Sequence, residues 1–150
     1  MTAHDTPATA RRSAMTILSL AYILAAGAGA AVAIREGLPG AFLGRTTGRT
    51  AREDFLLGAG TALSPGLAML AAQAALTLLA RRGGRAGAVG AAGLALIGAG
   101  ATVGLLGEPI VWRVLSRRGF DAPKAALVAV MITLPVALCR TSVHTLRRGT

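Results

Sequence analysis

The stretch at 98–115 reads GAGATVGLLGEPIVWRVL and sets the class of fold to expect. An uncharged, glycine-rich segment leads directly into Glu108 and Pro109, and Trp112 and Arg113 follow shortly after. A transmembrane helix that reaches the membrane surface typically has an apolar interior. A carboxylate and a proline follow it here, and then an aromatic and a basic side chain, as expected at the surface. The sequence therefore predicts an integral membrane protein.

The composition also favours a membrane protein. Of the 150 residues, 53% are hydrophobic but only 3% are aromatic, so Ala, Leu, Gly and Val supply the apolar content. Small residues let helices pack closely within lipid, whereas a soluble core of this size would usually contain more aromatic side chains. The abundance of Ala, Gly and Arg also indicates a GC-rich, bacterial coding sequence.

Basic residues separate the apolar runs. The net charge of +10 comes from fifteen Arg and Lys124 against six acidic residues. Because most of these charges lie in short gaps between apolar segments, they indicate topology signals and contacts with lipid headgroups, not nucleic-acid binding. The single cysteine, Cys139, excludes an intrachain disulfide, and no Cys or His cluster has metal-ligand spacing. We expect the lipid bilayer as a partner, and no nucleic acid, metal or cofactor.

Four apolar runs approach or exceed the length needed to cross a bilayer, which is about 20 helical residues. We predict an all-α fold, an integral membrane four-helix bundle within residues 13–146, with a short interfacial helix after the third span. Residues 1–12 are predicted to be a disordered N-terminal tail, and residues 147–150 a C-terminal tail. The approximate predicted spans are 13–34, 55–80, 86–107 and 125–143.

The first run also has features of a secretory signal peptide, because Arg11-Arg12 precede it and the residues at 31–33 resemble a cleavage site. Its length exceeds the usual apolar core of about 7–15 residues, which favours an uncleaved span. Four spans put both termini on one side of the membrane. The basic residues divide equally, eight and eight, between the two sides. The arginine pair at the start favours termini in the cytoplasm and a plasma-membrane location.

Several residues inside the predicted spans have special roles. Pro65 and Pro135 lie near the centres of the second and fourth spans, where a proline removes a hydrogen bond and kinks the helix. Gln73 is polar enough to line a substrate path, but an interhelical hydrogen bond is the favoured role. Gly100 and Gly104 form a GxxxG pair that permits close approach of another helix.

Carboxylates are predicted at the starts of two helices. Glu53 and Asp54 open the second span, where the helix dipole favours negative charge. Asp121 is a predicted N-cap for the fourth helix, with Pro123 in its first turn.

The segment after the third span is predicted to form an amphipathic interfacial helix at 109–118, with Trp112 at headgroup depth. Glu108 would then lie at the positive end of this helix and accept its free backbone amides. Arg113 is too far along the helix for the ideal pairing with Glu108, so Arg35 is the preferred ion partner.

Two parts of the chain resemble each other. The motif GAGAAV at 27–32 matches GAGATV at 98–103, Glu36 and Glu108 follow the two copies, and Pro65 and Pro135 come later at a similar offset. This pattern indicates a duplicated helix hairpin, which would give a parallel repeat about the membrane normal. The alternative is compositional coincidence, because GAG also occurs at 58–60.

The stretch GEPxxWRVLxxxGFD at 107–121 and the four-span layout resemble small, uncharacterised four-helix membrane proteins of GC-rich bacteria. The layout is also distantly similar to that of the DoxX-like proteins. The resemblance implies a four-helix architecture and, for the DoxX-like proteins, a link to redox partners. It implies no catalytic residues for this chain.

These observations favour a non-enzymatic membrane subunit that binds a second copy of itself or another membrane protein. The alternative is a small transporter or channel built from the duplicated hairpin, in which the proline breaks expose carbonyl groups to a cavity. None of the predicted spans contains a carboxylate, which argues against a transporter that couples to ions. An enzyme using surface acids lacks a positioned partner, and no catalytic residue is predicted. The positions singled out for structural or interface roles are Glu36, Pro65, Gln73, Gly100, Gly104, Glu108, Trp112, Arg113 and Pro135.

Overall fold

The computed structural model describes residues 6–46 and 48–149, which are mainly helical as predicted. A 3-10 turn at Phe42–Gly44 follows the first helix. Two short antiparallel strands, β1 Gly60–Thr61 and β2 Ser64–Pro65, pair Gly60 with Pro65 and Thr61 with Ser64. The α-helices are α1 Thr6–Glu36, α2 Ala51–Leu57, α3 Leu67–Arg81, α4 Gly84–Leu106, α5 Pro109–Leu115 and α6 Ala122–Gly149.

Three of these helices are long and apolar enough to cross a membrane. The membrane-spanning candidates are Thr9–Glu36, Gly84–Leu106 and Ala122–Arg148. They coincide with the first, third and fourth predicted spans. Their outer faces carry exposed Leu, Ile and Val side chains, including Leu24 and Leu96, as expected of helices that face lipid.

The second predicted span, 55–80, is not one helix. The chain forms α2, then the β1–β2 hairpin, and only then α3, whose 15 residues measure about 22 Å against a hydrocarbon core of about 30 Å. The expected kink at Pro65 is therefore wrong, because Pro65 lies in β2. Gly60 in β1 has φ of 132°, a conformation that side chains rarely adopt, and a methyl group there would overlap the backbone of Ser64 and Pro65 in β2. Pro135, in contrast, does lie inside a helix, α6.

The predicted tails also differ from the structure. Within the expected N-terminal tail, residues 6–12 belong to α1, while residues 1–5 lie outside the described part of the chain. The Arg12 side chain packs over Gly83 in the turn between α3 and α4, which holds the start of α1 against the bundle. At the other terminus α6 continues to Gly149, and Thr150 lies outside the described residues.

Four helices pack side by side, with α1 between α3 and α6, and α4 also between α3 and α6. The short turn between Arg81 and Gly84 makes α3 and α4 antiparallel neighbours, as predicted. Small residues make the contacts close. A methyl group at Gly90 would overlap the backbone of Ala80 in α3, and one at Gly98 would lie 2.6 Å from the Pro135 carbonyl oxygen in α6.

The predicted helix after the third span is present as α5. Val111 and Val114 are buried, and Trp112 is 60% exposed on the opposite side, so the helix is amphipathic. The Trp112 indole donates a hydrogen bond to the Leu106 carbonyl at 2.9 Å. Asp121 caps α6 as predicted, because its Oδ1 accepts the Lys124 backbone N–H at 3.2 Å.

The order of elements is compatible with the predicted duplication. A long helix, a short helix and a third helix occur twice, as α1–α2–α3 and as α4–α5–α6. The matched prolines nevertheless occupy different places, since Pro65 precedes α3 while Pro135 lies within α6. The duplication stays a prediction.

The packing yields a topology prediction. Thr46 and Arg118 lie in loops at one end of the bundle, and Arg85 lies at the end that carries both termini. With Cys139 replaced by alanine, membrane-impermeant thiol reagents applied to intact cells should label cysteines at 46 and 118 and spare one at 85. Labelling only at 85 would place the termini outside. Labelling at all three positions would indicate dual topology.

Candidate functional site

A cavity of about 200 Å³ lies inside the bundle, where the α2–hairpin segment meets the long helices. Its apolar wall includes Tyr22 from α1, Met69 from α3 and Met131 from α6. One end is polar, because Asp54 and Glu108 line it. Further lining residues are Gly40, Phe42, Arg45, Thr61, Ser64, Gly100, Ala101, Gly104 and Leu105.

Two buried carboxylates close the polar end. Asp54 is 1% exposed and Glu108 is 7% exposed. The Gly40 N–H donates to Asp54 Oδ2 at 3.0 Å, and the adjacent Ala41 N–H donates to both Glu108 oxygens at 3.0 and 3.1 Å. Two successive amides of the first loop thus bind two acids from different helices. The Ala41 N–H leaves Glu108 with further acceptor capacity, since an ionised carboxylate has about four lone-pair sites.

The loop is held over the cavity by its backbone. Pro39 forms an isolated antiparallel bridge to Thr61, and the Leu43 N–H donates to the Gly107 carbonyl at 2.9 Å. Gly40 must be glycine, because a methyl group there would lie 2.6 Å from the Gly60 carbonyl oxygen. Phe42 lies against Gly107 and is 47% exposed, so the cavity reaches the surface beside the 3-10 turn.

Local sequence explains why Asp54 points inward. Thr50 and Glu53 form a capping box that starts α2, with the Glu53 N–H donating to Thr50 Oγ1 at 3.2 Å and the Thr50 N–H donating to Glu53 Oε2 at 2.9 Å. Ala51 and Asp54, three residues apart, then share the buried face of α2, while Glu53 is exposed. The helix start was predicted, but the burial of Asp54 was not.

Burial raises the pKa of Glu108. The hydrogen bond from Ala41 opposes this by stabilising the ionised form, and the negative charge of Asp54 adds to the increase. The pKa of Glu53, which is exposed, is lowered by its hydrogen bonds to Thr50. Glu108 therefore differs from a surface acid, and its environment favours the protonated carboxyl more than water does.

This raised pKa predicts a pH-dependent stability. The unfolded chain loses the Glu108 proton at lower pH than the folded protein does, so stability should fall as pH rises from the ordinary pKa of a glutamate through the raised value. Glu108→Gln stays neutral and can still accept the Ala41 N–H. Thermal unfolding in detergent should show a higher Tm for Glu108→Gln above this window and no difference below it.

The matched control is Glu53→Gln, which changes an exposed acid. The decrease in stability with rising pH that Glu108 causes should remain in this variant. Because the pKa of Glu53 is lowered, its own contribution runs in the opposite direction and is lost as pH falls. A lower Tm for Glu108→Gln than for the wild type across the whole range would contradict the burial of Glu108.

A second prediction concerns Gly40. Gly40→Ala should destabilise the protein by about 1–3 kcal/mol, because the added methyl group overpacks against Gly60. Gly27→Ala is the matched control, since Gly27 lies on the exposed face of α1 with nothing within 4 Å of an added methyl group. It should be neutral or stabilising. Equal Tm values for the two variants would show that the loop does not approach the hairpin this closely.

The structure places Glu108 differently from the sequence-based expectation. Glu108 occupies the N-cap position of α5 but makes no side-chain capping bond there, and its carboxylate instead accepts the Ala41 N–H. Within the described residues it has no ion pair with Arg35 or Arg113. The reason is the path of the first loop, which brings its amides to the carboxylate and covers it. The related acid, Glu36, is exposed and pairs with Lys124 Nζ at 3.0 Å.

Gln73 is fully buried and joins α3 to α1. Its Nε2 donates to the Ser19 hydroxyl at 3.0 Å, and Ser19 in turn shares a hydrogen bond of 2.6 Å with Thr77. This is the interhelical role favoured from the sequence. Gln73 does not line the cavity, whereas Pro65 does. Trp112, Arg113 and Pro135 lie outside it.

The glycine pair Gly100 and Gly104 lines the cavity. A methyl group at either position would meet nothing within 4 Å, so within this chain neither glycine contacts another helix backbone. The close helix contacts of α4 use Gly90 and Gly98 instead. The pair therefore contributes space to the cavity.

The sequence pattern does not indicate that Tyr22, Gly40, Arg45 and Met131 belong to one site. These residues are far apart in the chain and share no motif. The available signal was the pair of acids flanking apolar runs, Asp54 and Glu108, together with the glycines around Pro65. Among the described residues, no three His, Cys, Asp or Glu side chains come together as a metal site would require.

Comparison of the chain with protein-family models, curated proteins and solved structures gives no match. The resemblance to small four-helix membrane proteins therefore stays a prediction. Function has to be inferred from the cavity itself.

Proposed function

We propose that this protein is a small membrane transporter whose substrate binds in the cavity beside Asp54 and Glu108. The observation that carries the proposal is that an interrupted apolar segment and two buried carboxylates line one cavity inside a helical bundle. Apolar cavities with a few convergent polar groups and a perturbed pKa are the usual form of a ligand site.

The interrupted segment supports transport. We propose that α2, the hairpin and α3 together form a fourth, discontinuous span. Non-helical backbone is tolerated at membrane depth only where it is buried in protein or lines a cavity. The hairpin meets this condition, because Leu63 and Ser64 are buried and a methyl group at Gly29 of α1 would overlap the Leu63 carbonyl. Broken helices at binding sites are a recurrent feature of transporters.

The cavity also limits the substrate. An apolar cavity of about 150 Å³ holds a benzene molecule, so about 200 Å³ accepts a compound of that size or slightly larger. Met69, Met131 and Leu105 favour an apolar body. The two carboxylates outnumber the one basic side chain of the lining, Arg45, so the charged groups together favour a donor or a positive charge on the ligand. We therefore propose a small apolar amine as the substrate class.

This proposal reverses the preference reached from the sequence. A partner-binding subunit was favoured there because the predicted spans contain no carboxylate. In the folded chain, two carboxylates from the segments flanking α3 and α4 reach the interior nonetheless. Both are held by backbone amides, which positions them as acceptors for a ligand. A plasma-membrane location in a bacterium remains part of the proposal.

The cavity can be filled by mutation. Gly104→Leu should occupy it, because an added Cβ at this cavity-lining position meets nothing within 4 Å. Gly27→Leu adds the same side chain to an exposed face of α1. We expect benzylamine to raise the Tm of the wild type and of Gly27→Leu but not of Gly104→Leu, with little change in the Tm of either ligand-free variant.

Toluene and benzoate provide neutral and anionic molecules of similar size. Equal Tm shifts with all three probes, or an undiminished benzylamine shift in Gly104→Leu, would contradict an amine site in the cavity. Uptake of labelled benzylamine into proteoliposomes then separates transport from binding alone. Binding without uptake would leave a ligand-binding subunit and refute the transporter.

A further inference from the structure

A second polar surface lies at the opposite end of the bundle, along the last turns of α6. Arg140, His144, Arg147 and Arg148 line one groove there, together with Cys139 and Val143. Spacings of three, four and eight residues put the four basic side chains on one face of the helix. All four are exposed. The groove is therefore an accessible, densely basic surface.

Arg140, His144 and Arg148 form no salt bridge with the described acids. All five described acids lie toward the other end, which carries the first loop and the loop before α6. Three more arginines belong to the groove's end, in and beside the turn between α3 and α4. The acids are Glu36, Glu53, Asp54, Glu108 and Asp121, and the additional arginines are Arg81, Arg82 and Arg85. An anionic ligand would complement the charge of this end.

The same face of α6 becomes apolar one turn before Arg140. Val136 lies four residues earlier on this face and is exposed. Arg140 to Arg148 covers about 12 Å along the helix axis. The polar layer on each side of a bilayer is about 5–8 Å thick. Arg140 would therefore lie at the hydrocarbon boundary and extend outward, while Arg148 reaches the far side of the headgroup layer.

We propose that this groove binds the headgroup of an anionic phospholipid, whose acyl chains lie along the Val136 face of α6. Arginine suits this role because its planar guanidinium donates two parallel hydrogen bonds to a phosphate. Basic pockets on transmembrane helices at the membrane surface bind such headgroups. The site is distinct from the cavity and does not depend on the proposed transport.

The test is native mass spectrometry of the purified full-length protein in detergent, with phosphatidylglycerol and phosphatidylcholine of identical acyl chains. The wild type should retain phosphatidylglycerol preferentially. The double variant Arg140→Gln, Arg148→Gln should bind phosphatidylglycerol about 30-fold more weakly, from about 1 kcal/mol per basic residue near the membrane surface. Its affinity for phosphatidylcholine should not change.

The matched control removes the same charge at the other end. Arg117 and Arg118 are both exposed, and Arg117→Gln, Arg118→Gln should keep the wild-type affinity for phosphatidylglycerol. Arg140→Lys, Arg148→Lys keeps the charge and loses the forked geometry, so it should fall between the wild type and the glutamine variant. If the glutamine variant does not fold, the lysine variant still tests the site, because it keeps the charge.

Equal loss of phosphatidylglycerol in the two glutamine variants would show diffuse attraction and overturn the site. Release of phosphatidylglycerol by millimolar inorganic phosphate would assign the groove to a free anion and overturn the lipid proposal. Benzylamine should shift the Tm of Arg140→Gln, Arg148→Gln as in the wild type, so failure of the lipid site and failure of the cavity proposal are distinguishable.

Discussion

Two adjacent backbone amides, those of Gly40 and Ala41, bind the two buried carboxylates of Asp54 and Glu108. The first loop, α2 and the end of α4 meet through these bonds, and the loop covers the cavity as a result. Without them, each acid would be buried with fewer partners, which is costly for a charged group. Most of what is distinctive in this bundle depends on this small set of hydrogen bonds.

The interrupted second apolar run is the other half of the same arrangement. A continuous helix through residues 55–80 would lack the β1–β2 hairpin, in which Thr61 pairs with Pro39 of the first loop. The hairpin instead reverses the chain at Ala62 and Leu63, and its backbone packs against α1 at Gly29. The short helix α3 then returns to the opposite end. The hairpin and α3 both line the cavity.

The two ends of the bundle differ in charge and in the kind of ligand they suit. One end concentrates the described acids, partly buried around an apolar cavity and partly on the surface. The other end is basic and exposed, and α6 links the two, with Met131 at the cavity and Arg140 at the basic groove. This asymmetry follows from the placement of the acids. The equal division of basic residues between the two sides therefore does not reveal it.

The sequence by itself determined the local features. Hydropathy and length predicted four spans, and three of them are long apolar helices. Single residues predicted the starts of α5 and α6, because Pro109 and Asp121 act on their own helical turns. Only the tertiary structure decided the site. A buried hairpin and a buried helix have the same hydropathy, so the break before α3 was not visible. The burial of Glu108 depends on Ala41, which lies 67 positions away, and hydrogen bonds over such distances leave no periodic pattern in the chain.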